Sequence, residues 1–166
     1  MADHNKNNEN SNGWGTVNQS ITIARPAREL YEIWRDLESL PRILTHVKVV
    51  RETSPTHSRW VVEGPLGTDV EWDSMLVQDL PARRISWQST GDSEVDNEGS
   101  VEFNEEPGTG YTRVDVHIAY RPPAGSLGKT VAALFGKDPD SQVKDDLENF
   151  KEVVETDTFV RSPAGL

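Results

Sequence analysis

Between residues 46 and 122 polar and apolar residues alternate with a period of two, and this stretch constrains the fold more than any other feature. Such alternation is typical of strands with one buried face. Short turns rich in glycine and proline, such as 64–67 and 107–110, separate the segments, and connections this short join neighbouring antiparallel strands. The pattern predicts six strands, at 46–53, 58–64, 69–80, 83–89, 99–106 and 112–122.

The residues before this stretch predict a seventh strand and two helices. Residues 17–24 alternate in the same way. Pro26 then opens a helix in which Leu30 and Trp34 recur at helical spacing. Pro41 ends this pattern and predicts a second short helix or a turn.

An amphipathic helix is predicted after the strands. Asp138 is a suitable N-cap and Pro139 suits the first helical position. A shorter apolar stripe at 127–135 precedes them and stops at Gly136. The sheet is the only surface large enough to cover the apolar stripe of the long helix, which consists of Val143, Leu147, Phe150 and Val154. The predicted class is therefore α+β, with a seven-stranded antiparallel curved sheet around a long C-terminal helix.

Composition limits the partners and the location of the chain. Its 28 acidic and 17 basic residues give a net charge of -11, which disfavours nucleic acid as a partner. Cysteine is absent, which excludes disulfides and thiolate chemistry. No apolar run approaches the about 20 residues of a membrane span, so we expect no integral membrane insertion and a cytoplasmic location. We expect one domain at 17–157, between a disordered polar tail at 1–16 and a flexible tail at 158–166, as a monomer or a homodimer.

The segment GSLGKT at 125–130 resembles part of a nucleotide-binding P-loop. A P-loop needs a glycine five residues before Gly128, where this chain has Pro123, which lacks an N–H group. The segment also follows the strands late in the chain, whereas a P-loop follows an early parallel strand. We interpret these glycines as a turn into the helix, and we expect no cofactor.

The order of one strand, two helices, six strands and a helix is the helix-grip arrangement. Several segments, among them LPRILTHVKVVRE, RWVVEGPLGTDVEWD, VDNEGSVEF and YRPPAGSLGKTVAALFG, resemble the bacterial polyketide cyclase/dehydrase-like branch of the START-like (SRPBCC) superfamily. The chain is also similar to coenzyme Q-binding members, and the resemblance covers about residues 17–157. It implies a deep, mostly apolar cavity between the sheet and the C-terminal helix.

The resemblance and the inward parity of the strands together predict the walls of this cavity. The tryptophans of three successive strands could pack as core or could form an aromatic wall for a flat or polyprenyl ligand. Phe150 and Val154 are expected to be core, whereas the other end of the helix is expected to line the cavity. The expected lining residues are Trp34, Trp60, Trp72, Trp87, Phe103, Val116, Ile118, Leu134, Phe135, Val143 and Leu147.

Few polar side chains are candidates for chemistry. His46, His57 and His117 lack the spacing of a metal site, so no metal is expected. Glu71 and Asp73 share the parity opposite the apolar face and should point outward, unless a bulge near Ser74 and Met75 reverses it. The candidates for acid–base chemistry are Tyr31, His46, Asp73 and Tyr120.

Three functions are compatible with this sequence. A non-catalytic binder or carrier of a hydrophobic small molecule, such as a lipid, quinone, isoprenoid or polyketide-like compound, is favoured because apolar inward residues outnumber convergent polar ones. A cyclase or dehydratase acting on an aromatic or polyketide substrate is the alternative. A stress-related interaction module is the third.

Overall fold

A computed structural model describes residues 14–63, 69–91, 93, 95–121 and 138–156. Seven antiparallel strands form one curved sheet in the order β1-β7-β6-β5-β4-β3-β2, which confirms the predicted sheet. The largest difference in boundaries is at β6, which starts at Asp96 because residues 96–98 still pair with β7. The strands are β1 Gly15–Ile23, β2 Val47–Glu52, β3 His57–Glu63, β4 Asp69–Leu80, β5 Arg84–Thr90, β6 Asp96–Glu105 and β7 Thr112–Arg121.

Three helices accompany the sheet in the described residues. Helix α1 spans Ala27–Arg35, a 3-10 helix spans Leu37–Arg42, and helix α2 spans Pro139–Glu155. The Asp138 carboxylate accepts a hydrogen bond from the Ser141 amide at 2.9 Å, as expected of an N-cap. The proline break predicted at position 41 falls inside the 3-10 helix.

The C-terminal half of α2 is fixed to the end of the 3-10 helix and to the corner between β1 and α1. Asn149 Nδ2 donates to the carbonyl oxygen of Ile43 at 2.8 Å, and the Ala24 amide donates to Glu155 Oε1 at 2.9 Å. Phe150 is fully buried with its ring perpendicular to Trp34 at a centroid distance of 5.6 Å. This half of the helix is therefore closed core, and the sheet curls around it in a helix-grip fold.

A β-bulge in β4 changes which side chains face the helices. The register against β5 shifts between Leu76 and Gln78, two residues beyond the place where the sequence allowed a bulge. Trp72 and Leu76 precede the bulge and have side chains on the inner face of the sheet. The bulge reverses the alternation after Leu76, so Asp79 also lies on the inner face, where it points toward α1. The bulge thus separates a part of β4 that faces α2 from a part that faces α1.

Tyr31 joins α1 to this second part of β4. Its hydroxyl donates a short hydrogen bond to Asp79, and Arg35 Nε donates to Asp79 Oδ2 at 2.9 Å. Burial, followed by the hydrogen bond to Asp79, raises the pKa of Tyr31 to about 12. Arg35 also pairs with Glu52 on β2 at 2.9 Å. Tyr31 is thus part of a polar link between α1 and two strands.

We expect the link at Tyr31 to make stability depend on pH in the alkaline range. Tyrosine in an unfolded chain ionises near pH 10, so the stability supplied by the protonated hydroxyl is complete below about pH 10 and is lost as pH rises toward about 12. Denaturant midpoints should fall over this range in the wild type and fall less in Tyr31→Phe. An equal fall in the two proteins would contradict this assignment.

Some predictions fall on residues outside the described ranges. These predictions concern the tails at 1–13 and 157–166, the turn at 64–67, and the segment 122–137. The last of these contains the P-loop-like sequence and the lining candidates Leu134 and Phe135. Strand β1 begins at Gly15, two residues inside the predicted tail. No helix in the described ranges is long and apolar enough to cross a membrane.

Candidate functional site

A cavity of about 140 Å³ lies between the inner face of the sheet and α2. Strands β2 to β7 supply inward side chains to its wall, α2 supplies Val143 and Leu147, and α1 supplies Trp34. Most lining side chains are apolar because the inward parity of each strand carries Val, Ile, Leu or Trp. The cavity can therefore exclude water from an apolar guest.

Three indole rings cover the sheet side of the cavity, and we call Trp60, Trp72 and Trp87 the tryptophan wall. Trp60 and Trp72 are paired across β3 and β4 and stack at a centroid distance of 6.1 Å with an angle of 7°. The ring of Trp87 lies over Gly99, where a Cβ atom would come within 2.6 Å of the indole. Glycine at this position of β6 therefore makes room for the third ring.

Polar groups meet at the α2 side of the cavity, and we call Gln142, Asp146 and His46 the polar corner. The Asp146 side chain is only 7% exposed and lines the cavity. Gln142 Nε2 donates to Asp146 Oδ1 at 3.0 Å, and His46 Nδ1 lies 3.2 Å from Asp146 Oδ2. The loop before β2 and the helix α2 thus place an imidazole and a carboxylate together at an apolar cavity.

Eight of the expected lining residues lie on the cavity wall. They are Trp34, Trp60, Trp72, Trp87, Val116, Ile118, Val143 and Leu147. Phe103 requires a correction, because it does not line this cavity. It is buried against the edge of Tyr31 at a centroid distance of 6.1 Å, since its end of β6 lies under α1 rather than under α2.

Of the four candidates for acid–base chemistry, two line the cavity and two lie elsewhere. His46 and Tyr120 line the cavity. Tyr31 does not, because it is held by Asp79 beneath α1. Asp73 lies on the outer face of the sheet, where Arg59 NH1 donates to it at 3.2 Å. Glu71 is on the same face, and Arg59 NH2 donates to it at 2.6 Å. The outward parity persists because the bulge lies beyond these positions.

The sequence interpretation missed several polar residues of the wall. Ser58, Ser74 and Asn97 have inward parity on their strands, and Ser58 Oγ accepts a hydrogen bond from Trp60 Nε1 at 2.9 Å.

Asp146 was also missed, although its position in the sequence indicates that it faces the sheet. It follows Val143 by three residues and precedes Phe150 by four, which places it on the apolar stripe of α2. A carboxylate in that stripe is the feature that should have marked it.

The described residues contain no cluster of three or more His, Asp or Glu side chains that could hold a metal ion. His57 contacts Ser54 and Thr56, and His117 contacts Asn18 on the outer face. Of these histidines only His46 reaches the cavity.

Known proteins are similar to this chain in sequence or in fold. A Deinococcus radiodurans protein, DR_A0006, is 38% identical, with a TM-score of 0.70 and coverage of 86% of this chain and 98% of that one. An uncharacterized Streptomyces lincolnensis protein is 27% identical over 139 residues, 84% of this chain and 89% of its own length. The Zhui aromatase/cyclase of a Streptomyces strain is 20% identical, with a TM-score of 0.59 and coverage of 92% and 99%, and shows the likeness of fold alone.

The family model described as polyketide cyclase/dehydrase and lipid transport matches residues 23–148. The matched range runs from the end of β1 into α2 and includes the tryptophan wall and the polar corner. The chain therefore belongs to the polyketide cyclase/dehydrase and lipid transport family.

Proposed function

We propose that this chain binds a small, flat, hydrophobic molecule in the cavity between the sheet and α2. The observation that carries the proposal is the tryptophan wall facing the apolar residues Val143 and Leu147 of α2. Aromatic faces of this kind favour the stacking of a planar guest. Carriage of such a molecule is consistent with the lipid transport named in the family description.

The size of the cavity restricts the guest. An apolar cavity of about 150 Å³ in another protein binds benzene, and the cavity here measures about 140 Å³. A compound of one or two rings therefore matches the enclosed space better than a complete polyketide chain. Longer guests would have to extend beyond the walls formed by the described residues.

The proposal is tested by calorimetric titration with 2-methoxynaphthalene, which has two rings and no hydrogen-bond donor. We expect one molecule to bind per chain, with a dissociation constant on the order of 10–100 µM for a ligand of this size. Lack of saturable binding at the solubility limit of the probe would contradict the proposal.

A second candidate function is a cyclase or dehydratase, and the polar corner favours it. The His46 imidazole, 3.2 Å from Asp146, could accept a proton from a carbon beside a carbonyl group. That carbon would then attack a second carbonyl carbon, whose oxygen would take up the proton from His46 and become a hydroxyl group. Loss of a second proton from the attacking carbon and of the hydroxyl as water would then form a carbon–carbon double bond. The Zhui aromatase/cyclase has the same fold.

The two functions differ in an assay with a linear poly-β-ketone. A cyclase should produce an aromatic absorbance band, and His46→Gln should abolish it while the affinity for 2-methoxynaphthalene stays unchanged. We expect no band from the wild type above the uncatalysed rate, which is the result for a binder.

A further inference from the structure

The Asp146 carboxylate is placed where a packed helix would normally carry an apolar side chain. It lies on the same stripe of α2 as Val143 and Phe150, and its side chain is only 7% exposed. Burial of a carboxylate is unfavourable unless the charge is paired and hydrogen-bonded, and an apolar residue of similar volume is often the more stable choice. Packing alone therefore does not account for an aspartate at this position.

The partners of Asp146 leave room for another hydrogen bond. Each carboxylate oxygen can accept two hydrogen bonds. Oδ1 accepts from Gln142 at 3.0 Å, and Oδ2 lies 3.2 Å from His46 Nδ1. Each oxygen thus retains acceptor capacity in a cavity whose other walls are mostly apolar. A guest in the cavity would meet this carboxylate as a hydrogen-bond acceptor.

We propose that Asp146 selects the ligand, which is a one- or two-ring aromatic compound carrying a neutral or cationic hydrogen-bond donor, such as a phenol or an aryl amine. This inference rests on the proposed function and adds the chemistry of the polar group. A donor gains a charge-assisted hydrogen bond, which is stronger than a neutral one. A ligand carboxylate would instead face a like charge in a medium of low dielectric constant.

The hydrogen-bond donor and the aromatic ring of the ligand would contact different parts of the cavity wall. The tryptophan wall belongs to β3, β4 and β5, whereas Asp146 belongs to α2 on the facing wall. A planar guest stacked on the indoles can therefore direct a substituent at its edge toward the carboxylate. Affinity then comes from the rings, and selectivity comes from Asp146.

Three probes that share the naphthalene ring test this inference. They are 2-naphthol, which carries a neutral donor, 2-methoxynaphthalene, which carries none, and 2-naphthoate, which is an anion at neutral pH. Calorimetric titration of the wild type should give 2-naphthol an affinity about tenfold higher than 2-methoxynaphthalene, the scale of one hydrogen bond to a charged group. The affinity for 2-naphthoate should be the lowest of the three.

Asp146→Asn removes the charge and keeps the shape of the side chain. In this variant the affinities for 2-naphthol and 2-methoxynaphthalene should approach each other, and 2-naphthoate should bind more tightly than it does to the wild type. The matched control is Glu148→Gln, which removes one charge from the exposed face of the same helix and should preserve the wild-type order.

Two sets of results overturn the inference without affecting the proposed function. In the first, all three probes bind the wild type with equal affinity, or 2-naphthoate binds best. In the second, the order of affinities is the same in Asp146→Asn as in the wild type. If none of the probes binds the wild type, both proposals fail. If Asp146→Asn does not fold, the order of affinities in the wild type decides alone.

Discussion

Truncation of Phe150 to alanine is expected to lower the free energy of unfolding by about 3–5 kcal/mol, as for phenylalanine in other closed cores. Phe150 has no exposed surface, and its ring packs perpendicular to Trp34 at 5.6 Å. The side chains of Asn149 and Glu155 hold α2 against the backbone at Ile43 and Ala24, which limits the collapse of the surrounding structure into the space left by the ring. Denaturant midpoints of the wild type and the variant measure the loss.

Leu147, one turn earlier on α2, is the matched comparison. It is only 2% exposed but borders the cavity, so part of its surroundings is already empty. We expect Leu147→Ala to cost about 2 kcal/mol or less, the low end of the range for leucine. The variant should bind 2-methoxynaphthalene at least as well as the wild type. Equal losses at Leu147 and Phe150 would mean that both ends of the stripe are closed core.

Filling the cavity is expected to abolish binding while the fold persists. Ser74 is 4% exposed and lies on β4 between Trp72 and Leu76, which also line the cavity. Its hydroxyl makes one long hydrogen bond, at 3.4 Å to the carbonyl oxygen of Gln88. A phenylalanine ring has roughly the size of benzene, which occupies a cavity of about 150 Å³ elsewhere. Ser74→Phe should thus lower the affinity for 2-methoxynaphthalene at least tenfold.

The control for Ser74→Phe is Met75→Phe, which adds a similar ring to the opposite face of the same strand. Calorimetric affinity should be unchanged in Met75→Phe. Overpacking should lower the free energy of unfolding of Ser74→Phe by about 1–3 kcal/mol. A cooperative denaturant transition will show that the variant still folds, and its midpoint will measure this loss. If Ser74→Phe folds and binds the probe as tightly as the wild type, the probe occupies some other site.

Regular alternation made most of the sheet predictable. The inward parity of β3, β4 and β5 follows from their sequences, and short turns leave antiparallel pairing as the only option. The stacking of Trp60 on Trp72 then depends on register, which the turn lengths nearly determine. The position of the bulge after Leu76 was not predictable, because the hydrogen bonds to β5 determine it rather than the local pattern.

For two residues, the alternation or helical spacing of the sequence did not suffice to predict their surroundings. Phe103 does face inward, as its strand pattern predicts, but parity does not tell which helix covers that end of β6. Asp146 has the spacing of the apolar stripe, yet its charge made a solvated position the natural expectation. Its burial depends on Gln142, one helical turn earlier, and on His46, which is 100 positions away in the chain. Such a pairing becomes visible only in three dimensions.

The location of a bound probe tests the central claim most directly. Nuclear Overhauser contacts between the ring protons of 2-methoxynaphthalene and the methyl groups of the protein can be measured in solution. The account predicts contacts to Val116, Val143 and Leu147, which line the cavity from the sheet and from α2. Contacts confined to the exposed Val77 on the outer face, or none at a saturating concentration of the probe, would contradict it.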